Sequence, residues 1–413
     1  MKFVLIILFL AGVGSGYGQA KTDSFLQNLI WANASSQLRM VLEHPDSFRY
    51  QIIYTRIDRD ARGEPHFKNF HLRVDPKEYF NPASTVKMPL AFLALEKINE
   101  LKPYGVDLNT SMITDSAYPG QSAVSKDSSA ENGMPSVAQY IKKIFLVSDN
   151  DAYNRLYEFI GPERINRTLW EKSYNEVRIT RRFVPMSEDQ NRHTNPIRFV
   201  KDGKILYEQP AAFNPIDFDF SKKILLGKGH LNAEDSLINQ PMDFTKHNNI
   251  PLEDLQQILQ SVLFPGSVPP FKRFKLGPED LSFLYQYMSE YPGESRHPKY
   301  DTSEYYNSYA KFFLFRAGHA IPPDYVRIFN KPGWSYGFLT DVAYIVDFKN
   351  EVEFMLSAVI YTNRDAILND NKYEYDETGF PYFKELGYIL YRYELKRERQ
   401  FKPNLQAFKF RYN

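Results

Sequence analysis

The chain has 413 residues, 43% of them hydrophobic and 15% aromatic, which is enough to bury one sizeable core. Its 51 lysines and arginines nearly balance its 50 aspartates and glutamates, so a net charge of +1 excludes strong attraction to nucleic acid or an anionic membrane. The absence of cysteine excludes thiol nucleophiles, thiolate metal sites and disulfides, which leaves hydroxyls, amines and carboxylates as nucleophiles.

The N-terminus has the pattern of a secretory signal. Lys2 precedes an apolar run from Phe3 to Val13, and small residues follow. We expect residues 1–18 to be removed and residues 19–413 to form one exported domain, periplasmic or secreted. An uncleaved anchor is the alternative, but no later stretch has the ~18 to 20 apolar residues that a membrane helix needs, so we expect no stable membrane insertion after cleavage.

A helix and two strands are predicted before residue 81. Apolar residues recur at helical spacing in residues 22–45. Alternating apolar residues in YQIIYTRIDRD, residues 50–60, predict a half-buried strand, and FKNFHLRVDP, residues 67–76, is compatible with a second strand.

The stretch NPASTVKMPLAFLALEKI begins a nearly apolar helix with a serine and a lysine three residues apart. Asn81 can cap this helix, so Ser84 falls in the first turn, where backbone N–H groups lack intrahelical partners. Lys87 lies one turn further on the same face, where its amine can reach the Ser84 hydroxyl. Apolar neighbours desolvate this amine, which lowers its pKa and makes it a usable base.

A chance match is the alternative for this short pattern. Ser-x-x-Lys occurs again at Ser308 and Lys311, where we interpret it as ordinary surface. Pro89 lacks an N–H and therefore frees the carbonyl of Thr85, so we expect it to kink the helical turn that precedes it.

A second polar cluster, Ser148, Asp149 and Asn150, lies between two apolar helical patterns. A loop there can project hydroxyl and amide groups into a cleft. The alternative is a helix cap by Ser148 or Asp149, which explains the triplet equally well.

Helical patterns fill the middle of the chain and predict a helical lobe over residues 81–320. They lie in residues 135–147, 151–161, 251–264 and 278–291. Residues 196–242 show no sustained period and are interpreted as a long irregular insertion, a kind of segment that is usually functional or mobile.

Lys331 precedes a proline and Gly333 at the predicted start of a strand. There a cation can lie beside a nucleophile, and the glycine lets substrate approach the backbone. A plain turn into the strand is the alternative.

The C-terminal part predicts a hairpin of two long strands over residues 338–348 and 352–362, followed by an amphipathic helix over residues 380–400. Strands at both ends with helices between them predict an α+β fold. In this fold the N- and C-terminal segments form one antiparallel sheet, and the helical lobe is inserted between them.

Ser-x-x-Lys, Ser-Asp-Asn and Lys-x-Gly, in this order, are the signature of penicillin-recognising serine enzymes. The chain resembles the class A β-lactamase-like family, which belongs to the superfamily of β-lactamases and penicillin-binding transpeptidases. The resemblance includes YFNPASTVKMPLA, SDNDAYNRLYEFIG, the terminal hairpin and the last helix, and it extends over most of the chain except about residues 175–242.

The resemblance implies a catalytic role for four residues. Ser84 would be the acylated nucleophile and Lys87 its activating base, while Ser148 and Lys331 would relay protons. Lys331 beside Lys87 would lower the pKa of the neighbouring amine further, because like charges disfavour each other.

The resemblance also implies the substrate contacts. Asn150 would hold the substrate amide, and the backbone N–H groups of Ser84 and Trp334 would form the oxyanion hole, with Gly333 beside them. The substrate would be a β-lactam or a peptidoglycan-like peptide, the protein a monomer, and neither a metal nor an organic cofactor is implied.

The sequence departs from the family pattern at two places. A proline stands between Lys331 and Gly333, where the family has a hydroxyl that holds the substrate carboxylate; Ser335 is the candidate substitute. Phe183 and Val184 stand near the place of the glutamate that activates water for deacylation, and Glu188 is out of register.

We therefore predict an exported serine hydrolase that works through a Ser84 acyl-enzyme, with β-lactam hydrolysis as its activity. One alternative is a peptidase or esterase of the penicillin-binding type with slow deacylation. Another is a penicillin-binding protein that has lost turnover.

Two other hydrolase classes are rejected. Residues 333–337 also fit the G-x-S-x-G elbow of α/β-hydrolases, but a strand pair follows instead of a helix, and the last histidine, His319, precedes the motif. The eight histidines show no metal-ligand spacing.

Overall fold

A computed structural model describes residues 20–412, so the predicted signal segment lies outside the described residues. The helices, in chain order, are α1 (Ser24–Asn33), α2 (Ser36–Glu43), α3 (Pro45–Phe48), α4 (Lys87–Leu101), α5 (Val137–Val147), α6 (Asn150–Ile160), α7 (Pro162–Glu171), α8 (Glu188–Arg192), α9 (Leu252–Leu263), α10 (Pro278–Ser289) and α11 (Phe380–Lys396). Within the described range, none of these helices has the length and apolar character needed to cross a membrane.

The strands alternate with these helices along the chain. They are β1 (Gln51–Arg59), β2 (Pro65–Leu72), β3 (Ser111–Thr114), β4 (Ile197–Lys201), β5 (Lys204–Gln209), β6 (Leu225–Leu226), β7 (Gly229–Leu231), β8 (Leu237–Ile238), β9 (Met242–Asp243), β10 (Val326–Ser335), β11 (Phe338–Asp347), β12 (Val352–Tyr361) and β13 (Ile367–Leu368).

Strands from both ends of the chain form one five-stranded sheet in the order β10, β11, β12, β1, β2. All neighbouring pairs are antiparallel, and β1 pairs with β12 so that Gln51 lies opposite Val359. Strands β11 and β12 form the predicted hairpin, with Asp347 opposite Val352. The predicted α+β fold, with a sheet built from both terminal segments, is confirmed.

Alternate side chains of this sheet enter two different cores. Ile53 of β1 and Val342 of β11 pack in the core shared with the helical lobe. Ile52 and Ala343, their chain neighbours, pack in the core shared with α1 and α11. Because both faces are covered, β11 and β12 are buried over nearly their whole length, and their sequences are almost continuously apolar.

The helix that follows the first motif begins later than its sequence predicts. Residues Ala83–Val86 form a short 3-10 turn, and α4 begins only at Lys87. Pro89 therefore lies in the first turn of α4, where its missing N–H breaks no intrahelical hydrogen bond. The predicted kink at this proline was wrong for that reason.

The third motif lies inside a strand and not at its start. Strand β10 begins at Val326, five residues before Lys331, and continues to Ser335. The sequence prediction missed the first half of this strand because its apolar run is short and is followed by a proline, which usually argues against a strand interior.

The insertion at residues 196–242 is built of short strands. Strands β4 and β5 extend a sheet with β3, β7 and β8 pair with β13, and β6 pairs with β9. Strands of two or three residues are too short to produce a visible period, so the segment is more regular than its sequence indicates.

Candidate active site

Ser84 lies on a turn whose backbone is fixed by its neighbours. The side-chain oxygen of Asn81 accepts a hydrogen bond from the Ala83 N–H at 2.9 Å. Ala83 has a φ of +44°, a conformation that costs free energy for a residue with a Cβ and is found preferentially at functional sites. Ser84 keeps part of its surface exposed, whereas the next residue, Thr85, is fully buried.

Strand β10 passes directly against this turn. A Cβ added at Gly333 would lie 2.7 Å from the backbone nitrogen of Ser84 and 2.9 Å from the carbonyl oxygen of Pro82. The sequence predicted that this glycine admits substrate to the backbone. The contact in the structure is instead between the strand and the turn that carries Ser84, and only glycine allows this approach.

Lys87 is completely buried at the beginning of α4. Its amine donates hydrogen bonds to the backbone carbonyl of Ser148 and, at 2.6 Å, to the side-chain oxygen of Asn150. Burial lowers the pKa of Lys87 to about 7, and the nearby Asp149 carboxylate opposes this shift. An amine with this pKa is neutral in a large fraction of molecules at neutral pH.

Ser148 links the two buried amines of the site. It ends α5 with a φ of +62°, and the amine of Lys331 donates a 2.8 Å hydrogen bond to its hydroxyl oxygen. The amine of Lys87 lies 3.4 Å from the same oxygen. Burial and the neighbouring Lys87 hold the pKa of Lys331 well below its usual range.

Both interpretations of the Ser-Asp-Asn triplet, a helix cap and polar groups that contact the site, apply to different residues of it. Asp149 caps α6, since its carboxylate accepts a hydrogen bond from the Ala152 N–H at 2.8 Å. Ser148 and Asn150 contact the amine of Lys87 instead.

Lys331, Gly333 and Ser335 point to the same face of β10, because side chains alternate along a strand. The Trp334 side chain points to the other face and packs on Phe312, with ring centres 5.6 Å apart. Only the backbone of Trp334 is therefore available toward the Ser84 side.

The structure brings Ser84, Lys87, Ser148 and Lys331 into one neighbourhood. The amine of Lys87 is hydrogen-bonded to Ser148 and Asn150, and among residues 20–412 it has no hydrogen bond to the Ser84 hydroxyl. The direct serine–lysine hydrogen bond that helical spacing predicts is absent within that range, because the 3-10 turn shifts Ser84 relative to α4.

Pro332 fits its position because β10 is an edge strand of the five-stranded sheet. A proline is tolerated at an edge, where one missing N–H need not break the ladder. Its carbonyl oxygen accepts a 2.7 Å hydrogen bond from the amine of Lys331, which helps to fix that side chain.

The segment after α7 is clamped onto α6. Arg182 is fully buried, and its guanidinium donates to Glu158 at 3.0 Å. Arg155 donates to the other oxygen of the same carboxylate at 3.0 Å. The Phe183 N–H donates to the side chain of Asn154 at 2.8 Å.

This clamp places the Phe183 ring beside the site. The amine of Lys87 lies 4.9 Å from the centre of the ring, so an aromatic face stands near the place where the resemblance predicts a glutamate. Glu188 is exposed and forms an ion pair with Lys246 at 2.6 Å. It is directed to a different part of the surface.

The second Ser-x-x-Lys sequence is not surface, and that interpretation was wrong. Ser308 and Lys311 are each only 1% exposed. The amine of Lys311 donates to three oxygens, those of Met288, Ile328 and the Asn330 side chain, at 2.6 to 2.9 Å. This lysine is enclosed between α10 and the edge strand β10.

A cleft of about 340 Å³ opens between Asn81, Asn150 and Ser335. Phe183 and Val184, which the sequence places near the expected glutamate, also line it, and its remaining walls come from residues that the sequence did not predict: Arg181, Arg182, Pro185, His247, Asn248 and Tyr336. Most of them follow stretches without a motif, and His247 is one of eight histidines without regular spacing, so no signal in a single sequence marks them.

A sheet edge against a serine-bearing turn, with two buried lysines that meet at a second serine, defines a beta-lactamase-like protein. The sequence model of the beta-lactamase enzyme family matches residues 37–227, which contain the first two motifs. Over this stretch the chain is similar to the beta-lactamase enzyme family, in agreement with the resemblance that its motifs indicate. Lys331 lies beyond the matched residues.

No curated protein sequence matches the chain significantly. Among solved structures, a beta lactamase from Xanthomonas campestris pv. campestris str. ATCC 33913 has 17% identity and a TM-score of 0.46, with 90% of this chain and 98% of that chain covered. The beta-lactamase from Sphaerobacter thermophilus DSM 20745 has 10% identity and a TM-score of 0.45, covering 88% and 97%. The beta-lactamase from Desulfarculus baarsii DSM 2075 has 17% identity and a TM-score of 0.45, covering 87% and 97%.

Proposed function

We propose that the chain is an exported serine hydrolase of the class A type, in which Ser84 attacks the carbonyl of a β-lactam and forms an acyl-enzyme. The observation that carries this proposal is the pair of buried amines, Lys87 and Lys331, that meet at the Ser148 hydroxyl beside the Ser84 turn. Export to the periplasm or the medium rests on the signal pattern of residues 1–18.

Lys87 is the base in this mechanism. A neutral amine has two N–H groups and one lone pair; the two nearest acceptors of Lys87 are the Ser148 carbonyl and the Asn150 side chain, and the Ser148 hydroxyl lies further away, at 3.4 Å. With both N–H groups occupied, the lone pair is left for the proton of the Ser84 hydroxyl. The proton moves to Lys87 as the bond from Ser84 to the carbonyl carbon forms.

Ser148 and Lys331 relay the proton that Lys87 has taken from Ser84 to the lactam nitrogen as the bond from this nitrogen to the carbonyl carbon breaks. Lys331 already donates to the Ser148 hydroxyl, so a proton can pass through that hydroxyl into the cleft. The backbone N–H groups of Ser84 and Trp334 stabilise the oxyanion, and one such donor typically contributes about 3 to 4 kcal/mol to lowering the barrier.

The substrate amide binds to Asn150, whose side-chain oxygen is engaged by Lys87 and whose NH₂ group is directed to the substrate carbonyl in this proposal. Ser335, on the same strand face as Lys331 and in the cleft wall, replaces the missing hydroxyl of the third motif and holds the substrate carboxylate.

A second candidate function is an acyl-enzyme that is released slowly, as in a penicillin-binding peptidase or esterase or in a protein that has lost turnover. The observation that favours it is the Phe183 ring 4.9 Å from the Lys87 amine, near the place expected for a water-activating carboxylate. An aromatic ring cannot take a proton from water.

The test is intact-mass spectrometry of the purified protein during incubation with a penicillin, together with the Ser84→Ala and Ser308→Ala variants. We expect one added penicillin mass on the wild type and on Ser308→Ala, and none on Ser84→Ala. An adduct on Ser84→Ala, or a wild type that neither forms an adduct nor hydrolyses the penicillin, would overturn the proposal.

The lifetime of the adduct separates the two functions. If the adduct disappears in seconds while the penicillin is hydrolysed, the protein is a β-lactamase. If the adduct persists for hours, the slow-release function holds.

A further inference from the structure

A second cavity of about 290 Å³ adjoins the catalytic cleft. It lies between residues 180–192 on one side and residues 214–247 on the other. It shares Arg181 and His247 with the cleft wall. We call it the side compartment.

The cations of the side compartment are incompletely neutralised. Arg181 and Arg192 have no carboxylate oxygen within 4.0 Å among residues 20–412, whereas Lys246 is paired with Glu188. The other carboxylate in the wall, Asp243, accepts a hydrogen bond from the Thr245 N–H at 2.8 Å. Three cationic side chains thus face two carboxylates.

The two arginines are held in place by neutral acceptors. Arg192 donates to the backbone carbonyl of Asn214 at 2.9 Å and to that of Ile216. One guanidinium nitrogen of Arg181 lies 2.9 Å from the His247 ring. Burial lowers the pKa of His247 to about 3, so its ring is neutral and accepts this hydrogen bond.

Aromatic rings form the apolar side of the compartment. Phe218 and Phe220 are both half-buried in its wall. The Lys246 amine lies 5.8 Å from the centre of the Phe220 ring. Fixed cations beside aromatic faces suit a ligand that combines a planar apolar part with a negative charge.

We infer that the side compartment binds a carboxylate carried by the acyl side chain of the substrate, with Arg181 as its first contact. The inference rests on the proposed function, because a substrate amide on Asn150 directs the group attached to it into the cleft that leads to Arg181. It names the substrate class, acyl groups with an anionic side chain.

The test uses two penicillins with the same nucleus, one with a neutral benzyl side chain and one with an α-carboxybenzyl side chain. The measured quantity is the ratio of their second-order acylation rate constants, carboxylated over neutral. Both variants below change exposed residues outside the catalytic site, and their effects have opposite signs.

Lys246→Gln removes a cation and leaves Glu188 unpaired, so the ratio should fall roughly threefold to fivefold. Glu188→Gln removes the carboxylate and frees Lys246, so the ratio should rise by a similar factor. Lys228→Gln is a matched change of an exposed lysine on the insertion at residues 196–242, outside the compartment, and should leave the ratio unchanged.

Ratios that stay at the wild-type value in both variants would overturn the inference while leaving the proposed function intact. If neither penicillin acylates the wild type, the proposed function fails and the inference fails with it.

Discussion

The chain contains Ser-x-x-Lys twice, and the two copies differ in what surrounds their lysines. Lys87 and Lys311 are both buried, and burial lowers the pKa of each to about 7. Lys87 borders the cleft through Asn150, whereas Lys311 is enclosed by backbone carbonyls and the Asn330 side chain.

The difference teaches that a shifted pKa does not identify a base by itself. All three acceptors of Lys311 lie within 2.9 Å of its amine, whereas the third acceptor of Lys87, the Ser148 hydroxyl, lies 3.4 Å away. Lys311 binds the Ile328 carbonyl of β10 and, through Asn330, connects to the buried Asp341. We interpret Lys311 as a structural support of the edge strand that carries Lys331.

The largest expected effect is on acylation in a Lys87→Met variant. Without a base for the Ser84 proton, the acylation rate constant should fall roughly 10² to 10⁴-fold. Lys311→Met is the matched control. Under conditions in which this variant is folded, its acylation rate constant should lie within about threefold of the wild-type value. The measurement is stopped-flow or mass-resolved acylation by a penicillin. Equal losses in the two variants would mean that the two lysines do not differ in function.

The next effect separates the same two variants by stability. Lys311→Met leaves the carbonyls of Met288 and Ile328 and the oxygen of Asn330 buried without a donor, so the free energy of unfolding should fall by about 2 to 4 kcal/mol. Lys87→Met leaves one backbone carbonyl, that of Ser148, without its donor, while water in the cleft can replace the amine at Asn150, so it should cost less than Lys311→Met, about 1 to 2 kcal/mol. Urea unfolding measures both values, and the opposite order would contradict the structural role of Lys311.

The sheet was predictable because its strands carry long apolar runs near both termini. The hairpin of β11 and β12 and the helix α11 follow from local patterns alone. Strand β10 was predicted only from Lys331 onward, since a proline follows that residue, and its edge position is a property of the assembled sheet.

Only the residues of the candidate site that belong to short sequence motifs could be predicted. The residue types at Ser84, Ser148 and Lys331 suggested a shared site, but their separation along the chain gives no distance between them. The 3-10 turn before Lys87, the ring of Phe183 over its amine and the wall at His247 all depend on tertiary packing, which a single sequence does not encode in a readable pattern.

A third prediction concerns pH. Lys87 must be neutral to accept a proton, and burial lowers its pKa to about 7, so acylation should rise about tenfold per pH unit below pH 7 and level off above it. Lys311 titrates in the same range, so the Lys311→Met profile is the control and should keep its midpoint. A midpoint that disappears in Lys311→Met, or a rate that falls as pH rises through 7, would assign the titration to another group.

The smallest expected effect is at the second serine. The Ser308 hydroxyl is buried and has no hydrogen-bond partner among residues 20–412, so Ser308→Ala removes an unsatisfied polar group. Its free energy of unfolding should stay unchanged or rise by up to about 1 kcal/mol, since the cost of desolvating the hydroxyl is relieved while only a small space is left. Ser84→Ala, at a partly exposed position, should change stability by no more than about 0.5 kcal/mol. Differential scanning calorimetry measures the stability of the two variants. If the free energy of unfolding of Ser308→Ala fell by more than about 1 kcal/mol, this hydroxyl would stabilise the fold through a hydrogen-bond partner.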